Sequence, residues 1–155
     1  MKLTSEIVKL FDAWNKALQT LDPDKVVELY ASNAILLPTV SNQVRHNHAE
    51  IKDYFVHFLR NRPKGKIDEY NVRRYGDFAS NSGLYTFTLS PPSGDPSVIK
   101  ARYTFVYQWF GDRWLIVEHH SSRLPEPTTS GSLAQHSGKT KGGREKNTTK
   151  RSKTA

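Results

Sequence analysis

Two adjacent histidines, His119 and His120, close an apolar run in the segment RWLIVEHHSSRLPEP, with Ser121 and Ser122 after them and Pro125 as a stop. A pair of imidazoles beside hydroxyls could serve proton transfer or ligand binding. Neighbours on a strand point to opposite faces, however, so the two cannot act on one centre. The expectation is two separate roles. One imidazole points into the interior and the other away from it. Ser121 and Ser122 are expected to satisfy backbone groups where the strand ends. Unperturbed imidazoles charge near pH 6.5, so mild acid is expected to protonate both and loosen any assembly that depends on them.

Other chemistries are poorly served. The chain has no cysteine, which excludes disulfides and thiolate chemistry. A metal centre needs at least three converging ligands. His46 and His48 fall in a loop and His57 on a helix, with no H-E-x-x-H spacing, so no metal and no cofactor are expected. Paired-carboxylate catalysis needs an acid in an apolar site. The acids here lie in caps, in turns and on helix surfaces, and Glu118 lies on the face opposite His119. That leans against an enzyme and names no catalytic residue.

The aromatic residues Trp14, Tyr30, Phe55, Tyr85, Phe87, Tyr103 and Phe105, with His119, are the candidate lining of an interior pocket for a small ligand. Arg102, on a central strand, is the candidate anion contact. Val106, Gln108, Trp109 and His120 are the candidate contacts between copies of the chain.

Local patterns position these residues. Over residues 5–21, Ile7, Leu10, Phe11, Trp14, Ala17, Leu18 and Leu21 fall on one helical stripe. Asp22-Pro23 is a cap followed by proline at the first helical position, starting a short helix with Val26, Val27, Leu29 and Tyr30 inward. Ala34–Leu37 reads as a strand closed by Pro38. Asn47 caps a third helix, with Glu50 as capping-box partner, which buries Ile51, Tyr54, Phe55, Phe58 and Leu59. The period then changes to two. Ile67–Tyr75, Ser82–Leu89, Val98–Trp109 and Trp114–His120 read as strands, and Gly111-Asp112 as a tight hairpin. Both faces of Ala101–Trp109 carry sizeable side chains, so the second face must be covered by the domain or by another chain. Helices first and an antiparallel meander after them make an α+β fold. The sheet is expected to be curved and cone-shaped, wrapped around the long N-terminal helix with two further helices.

The chain has 155 residues, a formal charge of +8 and 25% charged residues. Residues 128–155 hold seven Lys or Arg against one Glu, so this segment carries +6 and residues 1–127 only +2. Its composition cannot bury a core, and it is expected to be a basic disordered tail able to contact acidic partners or nucleic acid. No apolar run reaches the roughly 18 residues of a membrane span, and the N-terminus lacks a secretory apolar core. A cytoplasmic location is expected, or a nuclear one through the tail.

Several segments together resemble a known family: Phe11-x-x-Trp14, LDPDKVVELY over 21–30, AILLP over 34–38, SGLYTFTL over 82–89, ARYTFVY over 101–107 and WLIVEHHSS over 114–122. The chain resembles the association (hub) domain of calcium/calmodulin-dependent protein kinase II and its stand-alone relatives, within the nuclear-transport-factor-2-like (SnoaL-like) superfamily. The resemblance spans about residues 5–127. It implies a homo-oligomeric hub, with dimers assembled further into stacked rings, in which His119 faces the interior with Leu115 and Val117 and His120 faces a partner subunit. It also implies that the interior positions where animal hubs carry arginines are Phe87, Phe105 and Ser121 here. There is no glycine-rich phosphate loop, no H-R-D and no D-F-G, so no kinase chemistry is expected. The other reading is a small cone-fold enzyme, an isomerase, dehydratase or cyclase, using His119 and the interior tyrosines.

Overall fold

The computed structural model describes residues 2–127. Helix α1, Lys2–Gln19, buries Ile7, Phe11, Trp14 and Leu18, which alternate spacings of four and three along one stripe. Leu10 and Ala17 are half-buried beside it. Leu21 is not part of the stripe: the helix has ended, its backbone has turned to φ +60°, and its side chain is 44% exposed. Helix α2, Pro23–Val27, starts where the sequence places it, with the Asp22 carboxylate accepting from Asp24 N–H at 2.9 Å. Tyr30 does not continue α2 but opens strand β1, Tyr30–Leu37. Helix α3, His48–Phe58, is capped by Asn47, whose side-chain oxygen accepts from Glu50 N–H at 2.9 Å. Glu50 reaches one residue further back than a capping box does, and its carboxylate accepts from His46 N–H at 2.7 Å. A 3-10 turn, Leu59–Asn61, follows.

Four long strands complete the chain: β2, Lys64–Tyr75; β3, Phe78–Leu89; β4, Ser97–Trp109; and β5, Trp114–Arg123. The five-stranded sheet has the order β1-β5-β4-β3-β2. It is antiparallel from β2 to β5, as the meander predicts, but β1 pairs parallel with β5. The segment from β1 to β2 crosses from one sheet edge to the other through α3, which keeps the helices on one face. β3 begins four residues before the sequence places it, so Gly76-Asp77 becomes a two-residue hairpin with φ +59° at Gly76. The β4–β5 turn is looser than a two-residue hairpin: Trp109 pairs with Trp114, and Phe110 N–H donates to Arg113 C=O at 2.9 Å.

Two bulges set the phase of the sheet. β2 carries Asp68 as an extra residue between Ile67 and Glu69, and β5 carries Val117 between Ile116 and Glu118. An extra residue shifts which side chains face inward. Ile116, His119 and Ser121 therefore point into the core, opposite Tyr107, Phe105 and Tyr103, instead of the expected Leu115 and Val117.

Helix α1 is tied to the start of β2 by one side chain. Asn15 Nδ2 donates to Gly65 C=O at 3.0 Å and Asn15 Oδ1 accepts from Gly65 N–H at 2.8 Å. The amide mimics a neighbouring strand at a sheet edge. Asn15→Ala leaves both partly buried backbone groups unpaired and is expected to cost about 1–3 kcal/mol. Urea midpoints with an unchanged slope check this, with faster hydrogen exchange at Gly65. An unchanged midpoint contradicts it.

Candidate functional site: the interior of the cone

All eight residues expected in the interior are buried, none more than 3% exposed. They come from six elements: Trp14 from α1, Tyr30 from β1, Phe55 from α3, Tyr85 and Phe87 from β3, Tyr103 and Phe105 from β4, and His119 from β5. His119 stacks on Phe105 with centroids 4.0 Å apart and meets the Trp14 edge at 5.4 Å.

Both ring nitrogens of His119 are engaged. Tyr30 Oη lies 2.8 Å from Nδ1, and Tyr85 Oη lies 3.3 Å from Nε2. Trp14 Nε1–H donates to Tyr30 Oη at 3.1 Å. An indole N–H is a donor only, which gives the network a direction. Tyr30 accepts from Trp14 and donates its own O–H to Nδ1 of His119. Nε2 then carries the imidazole proton and donates to Tyr85. The opposite tautomer strands the Tyr30 hydroxyl proton with no acceptor in a fully buried site. Beyond Tyr85 lie the paired hydroxyls of Thr39 and Ser121.

Burial and the neighbouring His120 push the His119 pKa down from 6.5 to about 3. The imidazole is therefore neutral in mild acid, which corrects the expectation that it charges near pH 6. Burial raises the phenol pKa of Tyr30 and of Tyr85. The network holds hydrogen bonds, not charge.

Several expected roles change. Tyr103 stacks on Tyr85 at 4.7 Å, but its hydroxyl points away from His119, to the Asn81 side chain and Glu69 C=O, each at 3.0 Å. Arg102 lies on the opposite face of the sheet and is exposed, so it does not reach the interior as an anion contact; alternation from buried Ala101 and Tyr103 puts it there. Ser121 pairs with Thr39 and not with backbone. Trp109 packs at the hairpin end against Trp114 at 5.5 Å, away from the outer face that holds Val106, Gln108 and His120.

Thr39, Leu36 and Pro38 belong to the same interior and were not anticipated. They arrive through the parallel β1–β5 pairing, which has no signal in local sequence. The void they enclose with Trp14, Tyr85 and His119 offers only about 10 Å³ to the centre of a water-sized sphere. That is roughly the space of one water molecule. His46, His48 and His57 are held separately, by Glu50, Tyr30 C=O and Asp53 C=O. The described residues hold no group of three or more His, Cys, Asp or Glu able to bind a metal. No helix among them is long and apolar enough to cross a membrane.

The family model of the calcium/calmodulin-dependent protein kinase II association domain matches residues 4–125. The chain belongs to that family. A Xanthomonas campestris protein described as a candidate association domain of this kind is 50% identical, with a TM-score of 0.77 over 79% of this chain and 88% of that one. A nuclear-transport-factor-2-like protein from Salmonella enterica superposes with a TM-score of 0.71 at 16% identity, over 84% of this chain and 96% of that one. A Streptomyces avermitilis protein described as a candidate dehydratase of the same superfamily gives 0.69 at 15% identity, over 79% of this chain and 96% of that one. The last two share the association domain's cone fold, and the likeness extends no further than the fold. A comparison with curated proteins gave no significant match.

Proposed function

We propose that the chain is a self-association module, a homo-oligomeric hub in which dimers build further into a closed ring. The observation that carries this is the open outer face of the sheet. Paired residues share a face, and the register reads off its rows. Tyr75, Phe78, Gln108 and Leu115 form one; Arg73, Ser80, Val106, Glu118 and Ile35 the next; Asn71, Ser82, Thr104, His120 and Leu37 a third. The inner face is packed by α1 and α3, while Tyr75 and Phe78 on the outer face are 65% and 43% exposed. No helix among the described residues covers this face. Apolar side chains on an uncovered sheet, mixed with charges of both signs, suit a second copy of the same surface. Family membership supports the same reading.

The enzyme alternative has the site geometry against it. Both nitrogens of His119 are taken, no carboxylate lines the void, and the void is too small for a carbonyl substrate. Light scattering on the purified chain tests the proposal. The expected mass is several times the 17.7 kDa of one chain. Interfaces of stable assemblies bury on the order of 2,000 Å² or more, so the mass should hold at micromolar concentration.

A further inference from the structure

Among the described residues only two that are not glycine have positive φ: Leu21 at +60° and Arg62 at +48°. Both follow the last turn of a helical segment, the place glycine usually takes, with their N–H groups bonded back to Leu18 C=O and Leu59 C=O. A side chain in the left-handed region costs conformational free energy that glycine avoids. Such a cost persists where the side chain does something the backbone turn does not need. Core packing does not supply that reason, because Leu21 is 44% exposed and Arg62 is exposed too.

The two residues line one cleft. It lies between the end of α1, the Arg62-Pro63 turn, the start of β2 at Lys64, the end of β3 at Thr88 and the following Ser90, with a volume of about 380 Å³. The ion pairs of the described residues are Arg45–Asp53, His46–Glu50, Lys52–Asp24 and Lys66–Asp68, and neither Arg62 nor Lys64 belongs to one. No carboxylate lines the cleft. Asp22, next to Leu21, has its carboxylate turned to cap α2. The cleft thus combines two cations and two hydroxyls with no acid, beside one apolar side chain held there in a strained conformation.

We infer that this cleft is a binding site for a small carboxylate carried on an apolar stem. Arg62 and Lys64 take the carboxylate, the Thr88 and Ser90 hydroxyls donate to it, and Leu21 covers the stem. A guanidinium binds a carboxylate through two parallel hydrogen bonds, and its partner amine adds charge. The site is separate from the cone interior; Lys64 and Thr88 pair on the outer face of the sheet, at the end opposite Tyr75 and Phe78, and binding there does not require assembly.

The test uses the full chain and compares the thermal midpoint with isovalerate, acetate and inorganic phosphate, each against chloride at equal ionic strength. Isovalerate is expected to raise the midpoint saturably and by more than acetate or phosphate. Arg62→Asn with Lys64→Gln should abolish the shift. Leu21→Gly should raise the midpoint of the free protein by about 2–4 °C through relief of strain, and should reduce the isovalerate shift to that of acetate. Three results each overturn the inference: an isovalerate shift that survives the double variant, a phosphate shift as large as the isovalerate one, or a lower free-protein midpoint for Leu21→Gly.

Discussion

Replacing Gly83 with alanine is expected to remove on the order of 4 kcal/mol of stability, at the top of the range for single substitutions. Gly83 lies on β3 opposite Tyr70, one position past the Asp68 bulge. A Cβ at Gly83 would lie 2.0 Å from Glu69 C=O oxygen and 2.7 Å from its carbon. Both atoms are backbone, so no side-chain rotation relieves the clash. Relief requires the β2 bulge to move, and that movement also breaks the bond from Tyr103 Oη to Glu69 C=O. Domains of this size have roughly 5–15 kcal/mol to lose. Chemical denaturation with far-UV circular dichroism reads the effect. A Gly83→Ala protein with the parent's midpoint contradicts the packing of the bulge on β3.

The second large effect is a pH dependence carried by His119. Its pKa is pushed down to about 3 in the folded chain and is near 6.5 in the unfolded one. Above pH 6.5 the imidazole is neutral in both states and contributes no pH dependence. Between pH 6.5 and 3 the unfolded chain holds a proton that the folded chain refuses. Stability therefore falls as pH falls, by about 1.4 kcal/mol per unit. From pH 7.5 to 5.0 this amounts to about 2 kcal/mol. His119→Gln keeps a polar side chain without a titration, and its unfolding free energy should lose this part of the slope. The variant will be less stable than the parent at pH 7.5, and the gap should narrow by about 2 kcal/mol at pH 5.0. Parallel pH profiles for the two proteins would show that His119 titrates freely when folded.

The helices were legible because their signals are local. The stripe Ile7, Phe11, Trp14 and Leu18, the Asp22-Pro23 start and the Asn47 cap each lie within one or two turns of the residues they govern. The interior aromatics were legible for the same reason, since alternation on β3 and β4 holds without interruption. What escaped depends on contacts between distant segments. The Thr39–Ser121 pair spans 82 residues and follows from the parallel β1–β5 pairing. The Val117 bulge replaced Leu115 and Val117 by Ile116 as the inward residue, and local sequence carries no mark of it. Strict alternation still placed His119 and His120 on opposite faces, because both lie past the bulge. The size of the void was beyond reach as well. Spacing shows that rings converge, but only packing shows that they fill the space. The expected basic tail, 128–155, lies outside the described residues.

The central claim is that the outer sheet face joins copies of the chain. The most direct measurement is molar mass by light scattering at micromolar concentration for the parent and for Val106→Asp. Val106 is half-buried in the middle of that face, between Ser80 and Glu118. A carboxylate there remains hydrated in the free chain but is desolvated in an interface. The account predicts a large oligomer for the parent and a monomer or dimer for Val106→Asp, with the same circular dichroism spectrum. A parent that runs as a monomer, or a Val106→Asp protein with the parent's full mass, contradicts it.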